Sequence, residues 1–145
     1  MTVLVRSSVV PYTAEAMYNL INDVKSYAEF LPYCSGGKVI EQDDSHMVAT
    51  IELCAAGICK SFTTHNVLYP YHRVEMQHMD GPFKHLHGAW TFTDLPEGGC
   101  KVELTLDFEV HRSLSGIFFG QLYKKVADEL VKSFHDRAHV LHQQQ

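Results

Sequence analysis

Between Cys100 and Val110 apolar and polar residues alternate without a break: Cys100, Val102, Leu104, Leu106, Phe108 and Val110 against Lys101, Glu103, Thr105, Asp107 and Glu109. Period two over this span specifies a β-strand with one dry face and one wet face. The period then changes. Leu114, Phe118, Leu122, Val126, Leu130, Phe134 and Ala138 recur at four-residue intervals, and Ile117, Val131 and Leu141 widen the stripe. This predicts one amphipathic helix from about Ser115 to about His142. At 1.5 Å per residue it is roughly 40 Å long. A helix of that length spans a small sheet, and one helix on so wide a sheet leaves space beneath it.

The remainder of the chain supplies that sheet. A first strand is predicted from about Val3 to Val10, ended by Pro11. Thr13 is placed to cap a short helix with an apolar face of Ala14, Met17, Tyr18 and Ile21. A second short helix is expected over Val24 to Phe30, stopped by Pro32. Ser35-Gly36-Gly37 then opens a run of strands, expected near 38–42, 47–55, 58–68, 72–79, 84–94 and 100–110. Their breakers, among them Ala56-Gly57 and Asp80-Gly81-Pro82, are short, so the neighbours are antiparallel. The predicted architecture is α+β: a curved seven-stranded antiparallel sheet wrapped around a long C-terminal helix, with two short helices after strand one. No repeat or linker divides the 145 residues, so residues 1–145 are expected to form a single domain.

Composition excludes several function classes. Seventeen acidic against twelve basic residues give a net charge of -5, which repels a polyphosphate, so no DNA partner is expected. No apolar run is long enough to cross a membrane, and the first residues lack the layout of a signal peptide, so a cytoplasmic location is expected. Cys34, Cys54, Cys59 and Cys100 form no C-x-x-C pair. Cys54 and Cys59 can face each other across a hairpin at Ala56-Gly57, where a bond is geometrically allowed. In a reducing cytosol all four are expected as small thiols of the sheet.

Strand parity allows the inner face to be deduced. If Cys54 opposes Cys59, then Leu53 faces Lys60, Ile51 faces Phe62 and Ala49 faces Thr64 on one side of the sheet. The same parity turns Asn66, Val74, Met76, Leu86, Gly88, Trp90, Phe92, Val102, Leu104, Leu106 and Phe108 inward. Gly88 marks either a bulge or room for something to approach. Thr64 and Asn66 are polar groups that an apolar interior does not satisfy. An apolar pocket with a polar spot is the usual composition of a small-molecule site.

Catalytic signatures are missing. There is no G-x-S-x-G, P-loop or G-x-G-x-x-G motif. Glu52, Glu103, Asp107 and Glu109 fall on the outward parity, and the inward ionisable candidates, Lys60 and His78, are expected at the rim. Of the ten histidines, His135, His139 and His142 share a helix face and His85 and His87 share a strand face. No carboxylate or thiol completes a ligand set by spacing, so no metal is expected.

Three segments carry a family resemblance: 22–34 (NDVKSYAEFLPYC), Phe62-Thr63-Thr64-His65-Asn66, and 80–92 (DGPFKHLHGAWTF). Together, and in this order, they resemble the coenzyme-Q-binding START-like family of the polyketide cyclase/dehydrase-like superfamily, closest to its bacterial ribosome association toxin branch. The resemblance implies a helix-grip fold and a hydrophobic tunnel for ubiquinone or a related polyprenyl lipid. It also implies a role supporting respiratory electron transport, with no required cofactor and no catalysis; the cyclase label comes with the fold. Transient contact with a membrane surface fits such a ligand. The toxin branch implies instead a protein that binds the large ribosomal subunit and blocks subunit joining. Carried over, Tyr27, Phe30, Leu31, Pro32, Phe83, Leu86, Trp90 and Phe92 are the pocket and entrance residues. Parity adds Phe62, Thr64, Asn66 and Leu106 to the expected ligand site, and the helix stripe adds Phe118, Leu122 and Val126.

Overall fold

A computed structural model describes residues 2–111 and 114–143, with side chains described over 2–111 and 120–142. Strand β1 (Thr2–Val10) leads into helix α1 (Ala14–Asn22), whose first turn is capped by the Thr13 side chain accepting from the Ala16 N–H. The next segment, Val24–Glu29, is the second short helix, of 3₁₀ type. Six strands follow: β2 (Cys34–Gln42), β3 (His46–Ala55), β4 (Ile58–Tyr69), β5 (Arg73–Asp80), β6 (Phe83–Asp94) and β7 (Cys100–Val110). Helix α2 (Leu114–Gln143) closes the chain. All seven strands form one antiparallel sheet in the order β1-β7-β6-β5-β4-β3-β2. The helix-grip arrangement expected from periodicity is the one observed.

The register at the β3–β4 hairpin is the one that parity required: Leu53 opposes Lys60, Ile51 opposes Phe62 and Ala49 opposes Thr64. Ala56 and Gly57 both take positive φ, 53° and 78°, the combination that the tightest hairpin turns need. This brings Cys54 and Cys59 into direct opposition with Cα atoms 4.1 Å apart, and they are joined in a disulfide. The expectation of four free thiols is corrected at this pair; Cys34 and Cys100 remain free.

Strand β2 starts four residues earlier than expected, because Ser35-Gly36-Gly37 belongs to the strand and is not a turn. Gly36 and Gly37 pair with Glu52 and Ile51 after a register shift. A Cβ on Gly37 would lie 2.2 Å from the Val24 carbonyl oxygen, so only glycine lets the 3₁₀ turn rest directly on the strand.

Gly88 has a similar explanation. A Cβ there would sit 2.3 Å from the Thr105 carbonyl oxygen and 2.9 Å from Leu106 Cδ1. The position therefore leaves no room for a ligand; it lets β7 approach β6 closely. Gly88→Ala is expected to cost about 1–3 kcal/mol through this overpacking. Gly36→Ala, which meets nothing within 4 Å, should stay within about 0.5 kcal/mol of wild type in urea denaturation.

Candidate ligand cavity

The inner face of the sheet and α2 enclose a cavity of about 130 Å³. The sheet contributes Ala49, Ile51 and Leu53 from β3, Phe62, Thr64 and Asn66 from β4, and Met76 from β5. It also contributes Phe83, Leu86 and Trp90 from β6, and Leu104, Leu106 and Phe108 from β7. Val24, Tyr27 and Leu31 close one side. The helix contributes Tyr123, Val126, Ala127, Leu130 and Phe134.

Ten of the expected site residues are thus brought to one wall: Tyr27, Leu31, Phe62, Thr64, Asn66, Phe83, Leu86, Trp90, Leu106 and Val126. Three are not. Phe30 sits behind Phe134, with ring centroids 5.3 Å apart and the Arg137 guanidinium 5.2 Å above its own ring. Phe92 is buried against Tyr18 at 5.8 Å, toward α1. Leu122 is buried in the core but off the cavity wall. Phe118 lies outside the described side chains, and Pro32 does not reach the wall.

The helix positions were misjudged because residues four apart drift around an α-helix. At about 100° per residue, Leu122 lies roughly a quarter-turn from the middle of the face formed by Tyr123, Val126, Ala127, Leu130 and Phe134. Phe134 packs tightly and forms the aromatic end of the cavity. It is 1% exposed and meets Tyr27, Phe30 and Trp90 edge-on at 5.3–5.5 Å. Tyr123 was missed because a tyrosine one place off the stripe reads as a surface residue.

The wall is uncharged. The Tyr27 hydroxyl donates to the Ile21 carbonyl, and burial, helped by nearby Asp23 and Cys34, pushes its phenol far above the ordinary range. Burial likewise pushes the Tyr123 hydroxyl up to about 12. Both stay neutral at any physiological pH. The two free thiols are raised as well, chiefly by burial, to about 11 at Cys100 and in the same direction at Cys34, so neither is an activated nucleophile. Lys60 is exposed and His78, half-buried, lies against Phe83, so neither brings a charge to the wall. His85 and His87 lie on the outer face, reaching Asp107 at 2.9 and 3.6 Å. Among the described residues the one group of three with ligand atoms in mutual reach is Glu52, Cys54 and Cys59, and its sulfurs are consumed by the disulfide.

Two buried polar residues are found among those described, Thr64 and Asn66, and both face this cavity. Asn66 Oδ1 is fully buried without a hydrogen-bond partner. An orphaned acceptor in an apolar chamber costs on the order of 1–3 kcal/mol.

Comparison with known proteins follows this geometry. Residues 10–135 match the family model for polyketide cyclase/dehydrase and lipid transport. The chain belongs to this family. A ribosome association toxin RatA from Vibrio cholerae is 47% identical over 133 residues, 92% of each chain. A mitochondrial coenzyme Q-binding protein coq10 from Schizosaccharomyces pombe is 26% identical over 149 residues, covering 94% of this chain and 86% of its own. The Zhui aromatase/cyclase from Streptomyces superposes with a TM-score of 0.80 at 16% identity, over 95% and 93% of the two chains, and shares the fold alone. The family expected from the three sequence segments is the one found.

Asn66→Leu, which keeps the branched heavy-atom skeleton, fills more of the void and removes the unsatisfied amide oxygen, is expected to stabilise the protein by about 1 kcal/mol. Asn66→Ala, which deepens the void, should destabilise it. Urea melts of the two variants check this pair.

Proposed function

We propose that the protein binds a hydrophobic small molecule between its sheet and α2 without transforming it, with a polar ring group seated at Thr64 and Asn66. Ubiquinone or a related polyprenyl lipid is the favoured ligand, in support of respiratory electron transport. The single observation carrying this reading is the unpartnered Asn66 amide oxygen inside an otherwise apolar cavity. A cavity of about 130 Å³ compares with the roughly 150 Å³ that accepts a benzene ring. It suits one six-membered ring, while a polyprenyl tail has to leave along the seam between sheet and helix. Burying an aromatic ring of 150–250 Å² yields roughly 4–6 kcal/mol, so apolar contact alone supports binding no tighter than about millimolar to tens of micromolar. Hydrogen bonds at Asn66 and Thr64, and the tail itself, supply the remainder. The coenzyme Q-binding relative supports the choice of ligand.

Trp90, the sole tryptophan, is on the wall beside Phe134, so its emission reports on the cavity. A short-tailed ubiquinone is expected to quench it saturably. Asn66→Leu should weaken that binding by about 5–10-fold, the worth of one hydrogen bond of 1–1.5 kcal/mol. Emission that ignores the quinone, in a protein whose melting temperature the quinone also leaves unmoved, refutes the assignment.

A second reading is favoured by the 47% identity to the toxin: association with the large ribosomal subunit that blocks subunit joining. The solvent side of α2 mixes Lys124, Lys125 and Lys132 with Asp128, Glu129 and Asp136, which suits a protein surface better than an RNA one. Overexpression is then expected to lower the ratio of joined to free subunits in sucrose gradients, with the protein co-sedimenting with the large subunit. Unchanged gradients, with the protein remaining at the top, count against it.

A further inference from the structure

Away from the cavity, the C-terminal half of α2 carries two histidines one turn apart whose rings face each other. His135 Nε2 and His139 Nε2 are 3.0 Å apart. Each ring is fixed from behind by a hydroxyl on another element. Ser8 Oγ of β1 lies 2.6 Å from His135 Nδ1, and the Tyr12 hydroxyl, between β1 and α1, lies 2.5 Å from His139 Nδ1. The Tyr12 ring also packs edge-on against His139 and stacks on His142 at 3.8 Å. Both histidines are half-buried, so water and small ions reach their edges.

We propose that His135 and His139 form a bidentate site for a borderline divalent transition-metal ion such as Zn²⁺ or Ni²⁺, with water completing the coordination. The spacing is the first argument. Metal–imidazole bonds are about 2.0–2.1 Å, and two such ligands at 90° to 109° hold their nitrogens about 2.8–3.4 Å apart. The observed separation falls in that interval before any ion arrives.

Proton placement is the second argument. In the neutral chain one Nε2–H donates to the other Nε2; with that proton on His139, Tyr12 donates to His139 Nδ1 and His135 Nδ1–H donates to Ser8. Moving the His139 proton from Nε2 to Nδ1, where it donates to the Tyr12 oxygen, frees both Nε2 lone pairs. Each ring then has its far N–H held by a hydroxyl, the outer-shell support that fixes ligating imidazoles elsewhere. Binding requires this tautomer change and no net loss of a proton. Two neutral imidazoles select borderline transition metals over Mg²⁺ and Ca²⁺, which take oxygen ligands. A bound ion clips α2, β1 and the Tyr12 segment together at one point.

The test is calorimetric titration of the full-length, tag-free protein with NiCl₂ and with ZnCl₂, and with MgCl₂ as the control. One saturable site is expected for Ni²⁺ and Zn²⁺, accompanied by a rise in melting temperature, and none for Mg²⁺. His135→Gln and His139→Gln should each weaken binding by at least about tenfold, a loss that even an outer-shell partner can cause. His87→Gln on the opposite face should leave it unchanged. Paramagnetic broadening by Cu²⁺ of the wild-type ¹⁵N spectrum locates the ion without any variant, and the broadened amides should centre on residues 135–139 and on Ser8 and Tyr12. Absence of saturable binding, affinity retained in the His135→Gln/His139→Gln double variant, or broadening centred on His85 and His87 or on His46 and His65 overturns the proposal.

Discussion

Everything in this molecule depends on one helix having to cover a face of seven strands. The dry side of the sheet is too wide for a single helix to fill with side chains, and α1 and the 3₁₀ turn close only one end. Contact is therefore tight where large rings meet, as with Phe134, Tyr27 and Trp90. It is loose where small side chains such as Ala49 and Ala127 line the gap. The cavity follows from this mismatch between a broad curved sheet and a narrow rod.

An apolar void of this size costs packing; the buried Asn66 amide oxygen without a partner adds a cost that hydrophobic residues at 64 and 66 would remove. Thr64 and Asn66 stand on adjacent inward positions of one strand. They give the chamber a direction: an aromatic end at Phe134 and Trp90, and a polar point on β4. A ligand with a ring and one hydrogen-bonding substituent has a single favourable orientation in such a space.

The sheet was legible because its period is two and cannot be mistaken for a helix. Once Cys54 was set opposite Cys59, the inward side chains of β3 through β7 followed, and the structure repeats that assignment residue for residue at Leu53, Ile51 and Ala49. The helix was legible as an element but not in rotation. A row of residues four apart creeps around the axis, so Leu122 was taken for the inner face while Tyr123, Leu130 and Phe134 occupy it. Glycines were the other weak point. Whether Gly37 or Gly88 marks a turn, a vacancy or a close approach depends on an atom from a distant segment, the Val24 or Thr105 carbonyl oxygen, which local pattern cannot supply. The disulfide at Cys54 and Cys59 was legible as geometry alone, since its formation depends on surroundings that no spacing encodes.

The strand order also governs how the protein is made. β1 is made before the other six strands, yet its only sheet neighbour is β7, a pairing that matches Thr2 with Phe108. The helix that covers the inner face is synthesised after every strand. A nascent chain thus carries an unroofed apolar sheet, with one edge strand unpaired, until nearly all of its residues have emerged. No fragment that stops short of Phe134 can enclose the chamber, whose walls run from Val24 to Phe134, and chaperone demand should peak before α2 emerges.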